Sequence, residues 1–539
     1  MLDGLRRSVA RWIAPSGNRA TRRYAGALNS RLTAGFGNYS NTSADSELSM
    51  ALTALRSRSR QLMRDAPYAK RARLIVVNNV IGSGVGMQAQ VRNSRGDMHT
   101  RINEDIESAW ECWSKADSCH TGGALHFADL ERTCLSEVFT AGEVFDRKHY
   151  RPFGDSKIPF ALELIEAERM ADEFTHPQAG TPSTRLGVEL DAFGRAVAYY
   201  LRTIHPGELR MTADQVTKLE RVPAADMIHL RKVERWPQTR GEPWLHTVVR
   251  KLNDMDGYSE AEIIAARSAA SYMGMIETPD LDTPIAEKQE DGTQQMELSP
   301  GLIERLGPGE KFSAFMPNRP NTAFDPFMRA MLREVAAGIG VSYESLSRDY
   351  SQSNYSSSRL ALLDDRDLWR VLQQWWIRSF RAPLLRDWMQ AAVLSRAIPS
   401  ISVEQYALEP DRFLAVSWKL RGWSWIDPTK EVEAYKQAVR CGFTTVQAVI
   451  EQTGGGADLE DVLEQRRSEL DDMAALNLVF ETDPAAFLAR GESVAAAAEA
   501  AAAAESDTPS TTSAQASADA STPAKPAAPG RVVQLKGHA

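Results

Sequence analysis

The chain has 539 residues, 43% hydrophobic and 25% charged, with a formal net charge of −8. That length allows about two to four compact units, each able to bury a core. The acidic balance argues against tight, sequence-independent DNA binding, which needs a basic surface, and no window of about 20 apolar residues is present to span a membrane.

Residues 1–23 carry six arginines against Asp3. With no apolar stretch they read as a basic, poorly ordered arm over 1–40, not as a secretory signal. Residues 45–80 pattern as helix, and between 56 and 73 seven basic residues stand against Asp65. That run reads as a solvated face or as a surface for an acidic partner. The glycines of Ile81–Gly86 suggest a phosphate loop, but the Lys-Ser/Thr of a Walker A loop is missing and the helix precedes the glycines. They read as a turn into the strand MQAQVRN.

Helical patterning returns from Glu104 to Phe139. Cys112, Cys119, His120, His126 and Cys134 crowd this region, yet their spacing fits no familiar zinc site, and Cys441 stands apart. Reduced thiols, and no metal or cofactor, are expected. Strands follow in Ala141–Phe145 and LELIEAERM. LGVELDAFGRAVAYYL gives two alternating runs around an Asp-Ala-Phe-Gly turn, a hairpin signal, and AADMIHLRKV gives a further strand. Residues 41–241 thus read as one α+β unit.

From Glu242 to Met275 the pattern is helical, interrupted at Asp256-Gly257. Residues 276–322 are rich in turn formers, with short strands expected at GLIERL and KFSAF. A clean amphipathic helix follows, in which Asp325 can cap, Pro326 fits the first turn, and Phe324, Phe327, Met328, Met331, Leu332, Val335, Ala336 and Ile339 make the apolar face. Gly338 and Gly340 are expected to end it.

The next segment, VSYESLSRDYSQSNYSSSR (Val341–Arg359), is the most informative of the chain. Short hydroxyls, amides and tyrosines surround two arginines, and no large aliphatic residue follows Leu346. A buried loop could not satisfy so many polar groups, so this one reads as presented to something large and polar. Leu360 to Ala397 then reads as one long helix with the stripe Leu368, Val371, Leu372, Trp375, Trp376 and Phe380, and Pro383 predicts a kink near Ser379. Asp364, Asp365 and Asp367, interleaved with Arg366 and Arg370, read as an exposed ion-pair face in preference to a nuclease site. A strand is expected in Val416–Trp425. From Asp427-Pro428 a helical stretch runs to Leu488 with one break at Gly454–Gly456. Residues 491–539 form an Ala/Ser/Thr/Pro tail that cannot bury a core.

The order of these elements, with LELIEAERM, LGVELDAFGRAVAYYL, AADMIHLRKVERWPQTRGEPWL, LSPGLIERLGPGEKF and VSYESLSRDYSQSNYSSSR, resembles the lambda-type portal proteins of tailed bacteriophages. The resemblance covers about Leu48 to Arg490. It implies an α+β, mainly helical portal fold that assembles as a homododecameric ring at one procapsid vertex. Double-stranded DNA would pass through the channel during packaging and ejection, weakly bound. The implied parts are a wing (41–241 and the strands of 398–426), two stem helices (242–275 and 323–340), a clip (276–322) and a channel loop (341–359). A long kinked helix (360–397) and a crown (427–490) complete them. The channel-loop residues so implied are Arg348, Asp349, Ser351, Gln352, Ser353, Asn354, Tyr355 and Arg359. Implied partners are the terminase large subunit, head-completion or connector proteins, and the major capsid and scaffold proteins. The implied location is the virion, with host cytoplasm during assembly, and the protein would also nucleate the capsid. Members of this group also lose an N-terminal segment to a head protease.

The residues fit a conduit on their own terms. A channel through which DNA slides must not hold it strongly, because each fixed cation that neutralises a phosphate adds counterion-release affinity. No Walker A lysine, GxSxG or HExxH is present, so catalysis is not expected. Two other classes stay open: an enzyme on nucleic acid, resting on the aspartates or the Cys/His cluster, and an adaptor that binds other head proteins without forming a channel.

Overall fold

A computed structural model describes residues 42–175, 183–208, 218–271, 275–277, 311–313, 322–423, 428–453, 459–476 and 478. The expected arm over 1–40, GLIERL with most of the clip, and the tail over 491–539 lie outside these residues. The architecture is α+β and mainly helical.

Helix α1 (Ala44–Asp65) starts at Ser43, whose hydroxyl accepts from Ser46 N at 3.2 Å. Pro67 opens α2 (Pro67–Val80), and Ala66 before it is extended, at φ −96° and ψ 116°, because a proline ring disfavours a helical predecessor. The helix expected over 45–80 is therefore two. Its basic run is divided: Arg58, Arg64 and Lys70 are exposed, as a solvated face requires, and the others are half-buried or buried. Arg56 is buried against Glu143 and Asp172, and Arg60 forks onto Glu137 and Glu168. Arg71 Nε donates to the Ser345 carbonyl at 3.3 Å.

After β1 (Gly86–Ala89), the patterning expected over 104–139 resolves into α3 (Thr100–Trp113), α4 (Ala116–Cys119) and α5 (Phe127–Ala141). Gly142 stops α5 at φ +94°, and a Cβ there would meet the backbone of Glu242. Strand β2 (Glu143–His149) lies between β3 (Ala161–Ile165) and β8 (Met227–Arg231), both antiparallel to it. A second antiparallel sheet follows the order β4 (Ser183–Arg185), β5 (Val188–Leu190), β6 (Ala196–Arg202), β7 (Leu219–Pro223). The predicted hairpin is β5–β6. Asp191 Oδ1 closes its turn by accepting from the N–H groups of Phe193 and Arg195, each at 2.8 Å.

The two sheets and α1 meet on a buried ionic cluster that sequence reading missed. Glu143 takes Arg240 Nη2 at 2.6 Å, His229 Nε2 at 2.8 Å and Gly241 N at 2.9 Å, with Arg56 as a further partner. Asp172 bridges the same two arginines at 2.8 and 2.5 Å. Two carboxylates thus face two guanidiniums, and each buried charge is paired, as desolvation demands. The cluster holds Glu143 ionised well below the usual carboxylate range, against its burial, through Arg240 and Arg56.

Helix α6 (Val249–Ser271) runs through Gly257 without the expected break. Met275–Glu277 (β9) pairs antiparallel with Lys311–Ser313 (β10), within the predicted KFSAF strand. Helix α7 (Phe324–Ile339) starts at Ala323 with no side-chain cap; Asp325 sits inside the first turn and pairs with Arg329 at 3.0 Å. Tyr258 of α6 stacks on Phe324 at 5.7 Å and meets Phe327 edge-on at 5.0 Å. Gly338 does not end α7. It lets α7 approach residues 247–248, where a Cβ would lie 2.5 Å from Val248 Cγ1. Gly340, at φ +84°, is the C-cap.

Helices α8 (Tyr343–Ser347) and α9 (Tyr355–Trp376) follow, then a wide turn over Ile377–Arg381 and α10 (Ala382–Leu394). Where a kink was expected near Ser379 the helix widens into this turn, since Pro383 lacks the N–H that would close an α-turn there. It places Arg381 on Glu131 through two hydrogen bonds of 2.6 and 2.7 Å. Trp113, Trp376, Trp388 and Phe380 are fully buried in the largest core, and Trp376 Nε1 donates to Glu131 Oε1 at 2.9 Å. Val371, expected in the apolar stripe, is 62% exposed. After α11 (Val403–Leu408) and α12 (Pro410–Phe413), β11 (Val416–Lys419) pairs with β1, tying the late strand back to the first part of the chain. Helices α13 (Pro428–Arg440) and α14 (Val446–Thr453) add a break at 441–445 to the expected helical stretch. Helix α15 (Leu459–Ala475) belongs to a second compact unit.

Candidate functional site

The segment Val341–Arg359 is not one loop. Ser342 caps α8, Leu346 is buried beneath it, and α9 begins at Tyr355, so the irregular stretch is Arg348–Asn354. Much of its polar composition is explained by caps and turns, which short hydroxyl and amide side chains form with the local backbone. Asn354 Oδ1 accepts from Ser357 N at 2.8 Å while Ser357 Oγ accepts from Asn354 N at 3.1 Å, a reciprocal cap on α9. Ser347 Oγ donates to the Tyr343 carbonyl, and Ser353 Oγ to the Tyr350 carbonyl.

Asp365 is the anchor that sequence reading misplaced. It is 6% exposed and not on a solvated ion-pair face. Its carboxylate accepts from Ser342 N at 2.9 Å, Ser342 Oγ at 2.6 Å and Ser345 Oγ at 2.9 Å, which binds α8 to α9. Asp364 is exposed, and Asp367 pairs with Arg370 at 2.8 Å. The three aspartates therefore do not converge on one point. Of the Cys/His group, Cys112 is exposed, whereas Cys119 and Cys134 are buried thiols whose ionisation burial pushes up. Among the described residues, Glu166, Glu168 and His205 do lie close enough to share an ion, but Arg60 already holds Glu168 at 2.5 Å.

Between the anchors, Arg348 takes the left-handed conformation, φ +57°, as the C-cap of α8 and is exposed. Asp349 accepts from Tyr343 Oη at 2.9 Å and Ser351 N at 3.0 Å, and lies 3.4 Å from Arg329 Nε. The Ser351 hydrogen bonds, then Tyr343 and Arg329, hold its carboxyl down at about 2. Tyr350, Ser351 and Gln352 are exposed at the tip. Gln352 Oε1 faces Arg333 Nη2 at 3.5 Å, and Arg333 lies over the Tyr343 ring at 5.3 Å. Arg359 sits one turn into α9, half-buried, and does not share the tip with Arg348. Tyr355 opens α9.

Arg329, Arg333 and Asp365 are the contributing residues that sequence reading did not assign. The available signal was the i, i+4 spacing of Asp325, Arg329 and Arg333, which puts two cations on one face of α7. Chemically the tip offers neutral hydroxyl and amide groups, while Asp349, next to Arg348 in the chain, lies 3.4 Å from Arg329. A polyanion passing it meets hydrogen-bonding groups that exchange readily and few uncompensated cations. Beneath the tip, a groove of about 620 Å³ lined by Tyr68, Asp256, Arg329, Tyr343 and Asp349 joins it to α6 and α7.

Comparison with known proteins follows the same stretch of chain. Residues 29–373 match the family described as phage portal protein, lambda family. The chain is 28% identical over 420 residues to a probable portal protein of Halomonas phage phiHAP-1, covering 76% of this chain and 79% of that one. It is 22% identical over 503 residues to portal protein B of Escherichia phage lambda, covering 86% and 93%. A solved structure described as the neck of a native gene transfer agent particle, computed with C12 symmetry, is 14% identical, with a TM-score of 0.40. It covers 76% of this chain and 98% of that one, a likeness too loose to carry an argument. The family match spans more than half of the chain and takes in both sheets, α6, α7 and the whole of Val341–Arg359; the chain belongs to the lambda family of phage portal proteins.

Proposed function

We propose that this chain closes with eleven copies of itself into a ring at one vertex of the procapsid, and that double-stranded DNA is packaged and ejected through the ring's hole. In this reading α6 and α7 are the stem, residues 276–322 the clip, and the sheets with α1–α5 and β11 the wing. Residues 427–490 are the crown. The tip Arg348–Asn354, not the whole of 341–359, meets the DNA. The clip receives the terminase large subunit first and head-completion or connector proteins afterwards. The ring nucleates assembly with major capsid and scaffold proteins in the host cytoplasm and stays in the virion. No catalytic role is assigned to it; the motor is a partner.

One observation carries the reading of the tip. The tip is fixed at both ends, by Asp365 on one side and the Asn354–Ser357 cap on the other, while Tyr350, Ser351 and Gln352 stay exposed beside a cation already countered by Asp349. Such an edge stays stiff next to a sliding polyanion and adds little counterion-release affinity. The test is electron microscopy of the purified chain across salt concentrations and with scaffold protein. A closed ring of about twelve subunits with a DNA-wide hole supports the proposal. Monomers or dimers under every condition overturn it.

A further inference from the structure

A cavity of about 600 Å³ lies between the sheet of β4, β5 and β6 and the chain that follows β8. Strand register builds its floor. Arg185 pairs with Val188, and Val188 with Tyr199, so the three side chains share the face that lines it. Gln238, in the facing wall, is 4% exposed. Its Oε1 accepts from Glu234 N at 2.9 Å and Arg235 N at 3.3 Å, which fixes the orientation of the amide. Among the described residues, Gln238 Nε2 has no hydrogen-bond partner, and neither has the buried Nε of Arg231 in the same lining. Buried donors left unmade are costly, so the site calls for an acceptor.

Charge narrows the choice. Among the described lining, two guanidiniums, Arg185 and Arg231, stand against one carboxylate, Asp191. Asp191 Oδ1 is taken up by the hairpin turn. Arg231 turns its Nη1 onto His229 Nδ1 at 2.8 Å, and burial, then Arg231 itself, keeps that imidazole neutral. Arg185 lies 3.6 Å from Asp45, whose two oxygens already accept from Thr239. The lining therefore favours an anionic guest over a cationic one.

The rim adds an apolar requirement. Phe193, in the hairpin turn, is 86% exposed, and Trp236, in the chain after β8, is 77% exposed. Two large rings left open beside arginines have the composition of a contact surface. A nucleic acid could stack on them, but tracking its backbone takes a row of cations, and this chain carries a net charge of −8. A neutral amide donor beside two guanidiniums suits a peptide, which brings carbonyls and carboxylates together.

We propose that this cavity binds an acidic, aromatic-bearing segment of a partner protein. A carboxylate of that segment meets Arg231 and Arg185, a carboxylate or backbone carbonyl oxygen takes the Gln238 Nε2 donor, and an aromatic side chain covers Phe193 and Trp236. The inference rests neither on the tip's contact with DNA nor on ring closure.

Selection of an mRNA-displayed library of random peptides on the immobilised full chain tests it. The recovered peptides are expected to carry Asp or Glu within a few residues of Trp, Tyr or Phe. The strongest of them, resynthesised with a fluorophore, is titrated against two variants. Trp236→Ala is a surface change, and Gln238→Glu keeps an oxygen for the turn while exchanging the orphaned donor for an acceptor. Each variant weakens the peptide about tenfold or more, and Trp236→Ala decides alone if Gln238→Glu does not fold. Recovered peptides without acidic residues, or acidic ones that bind both variants as tightly as the wild type, overturn the proposal. Displacement of the peptide by a short oligothymidylate overturns it in favour of a nucleic acid. Loss of self-association in peptide-free Trp236→Ala, read by sedimentation, overturns it in favour of a second copy of this chain.

Discussion

The sharpest stability prediction concerns Asp146→Asn. Asp146 is on β2, fully buried, and its Oδ1 accepts from Cys134 Sγ at 3.3 Å; Oδ2 has no partner among the described residues. Burial pushes its carboxyl up from 3.8 to about 7. A raised folded value means stability that is fully present below the unfolded value and lost as pH rises through about 7, because the unfolded chain releases its proton first. At about 1.4 kcal/mol per pH unit, the loss amounts to about 4 kcal/mol. On the adjacent strand, burial and then Arg231 lower His229 from 6.5 to about 3. Its contribution runs the other way, present above 6.5 and lost as pH falls toward 3, so the two slopes oppose each other between about pH 4 and 6.5. Urea unfolding of the wild type and Asp146→Asn at pH 4, 5.5 and 7.5 isolates the carboxyl, because every other group is common to both. The variant gains about 4 kcal/mol on the wild type between pH 4 and 7.5, and His229→Gln gives a difference of the opposite trend. A stability difference between Asp146→Asn and wild type that does not move with pH refutes the reasoning.

Asp365→Ala removes the acceptor of three hydrogen bonds and costs about 2–3 kcal/mol locally; hydrogen exchange of residues 341–347 speeds up correspondingly, and unchanged protection counts against the anchor. Gly338→Leu forces α7 away from Val248, and a loss of about 1–3 kcal/mol is expected in thermal unfolding. Replacing Tyr350–Ser353 with glycine, which spares the Asn354 cap, leaves rings intact in electron micrographs and lowers packaged DNA; a normal packaging yield sinks the proposed role of the tip. Asp349→Ala removes a carboxylate from the tip and leaves Arg329 with Asp325 alone among the described residues, so DNA retention rises and the slope of log affinity against log salt steepens by about 0.9 per new phosphate contact.

The sequence was legible where a local rule acts alone. The β5–β6 hairpin followed from alternation around Asp191–Gly194, the amphipathic face of α7 from its 3.6-residue period, and the place, though not the form, of the irregularity near Ser379 from a proline without an N–H. The resemblance in five strings reached the family. Local signals failed where two segments distant in sequence share one environment. Asp365 looked like one charge in an exposed Asp/Arg run, because nothing local says that Ser342 and Ser345 would pack over it. Arg56 looked solvated, because its partners Glu143 and Asp172 lie 87 and 116 residues away.

The sequence by itself determined the α7 helix, the β5–β6 hairpin, the acidic composition and the polar character of the tip, since each follows from short-range periodicity, turn chemistry and side-chain type. Only the tertiary structure decided which charges are buried. It also divided the polar segment into anchors and an exposed tip, and gave the cavity beside Trp236 its lining. Burial and pairing depend on contacts between residues far apart in the chain, and desolvation makes those contacts, more than the residue's identity, set whether a carboxylate is a solvated ornament or a structural pin.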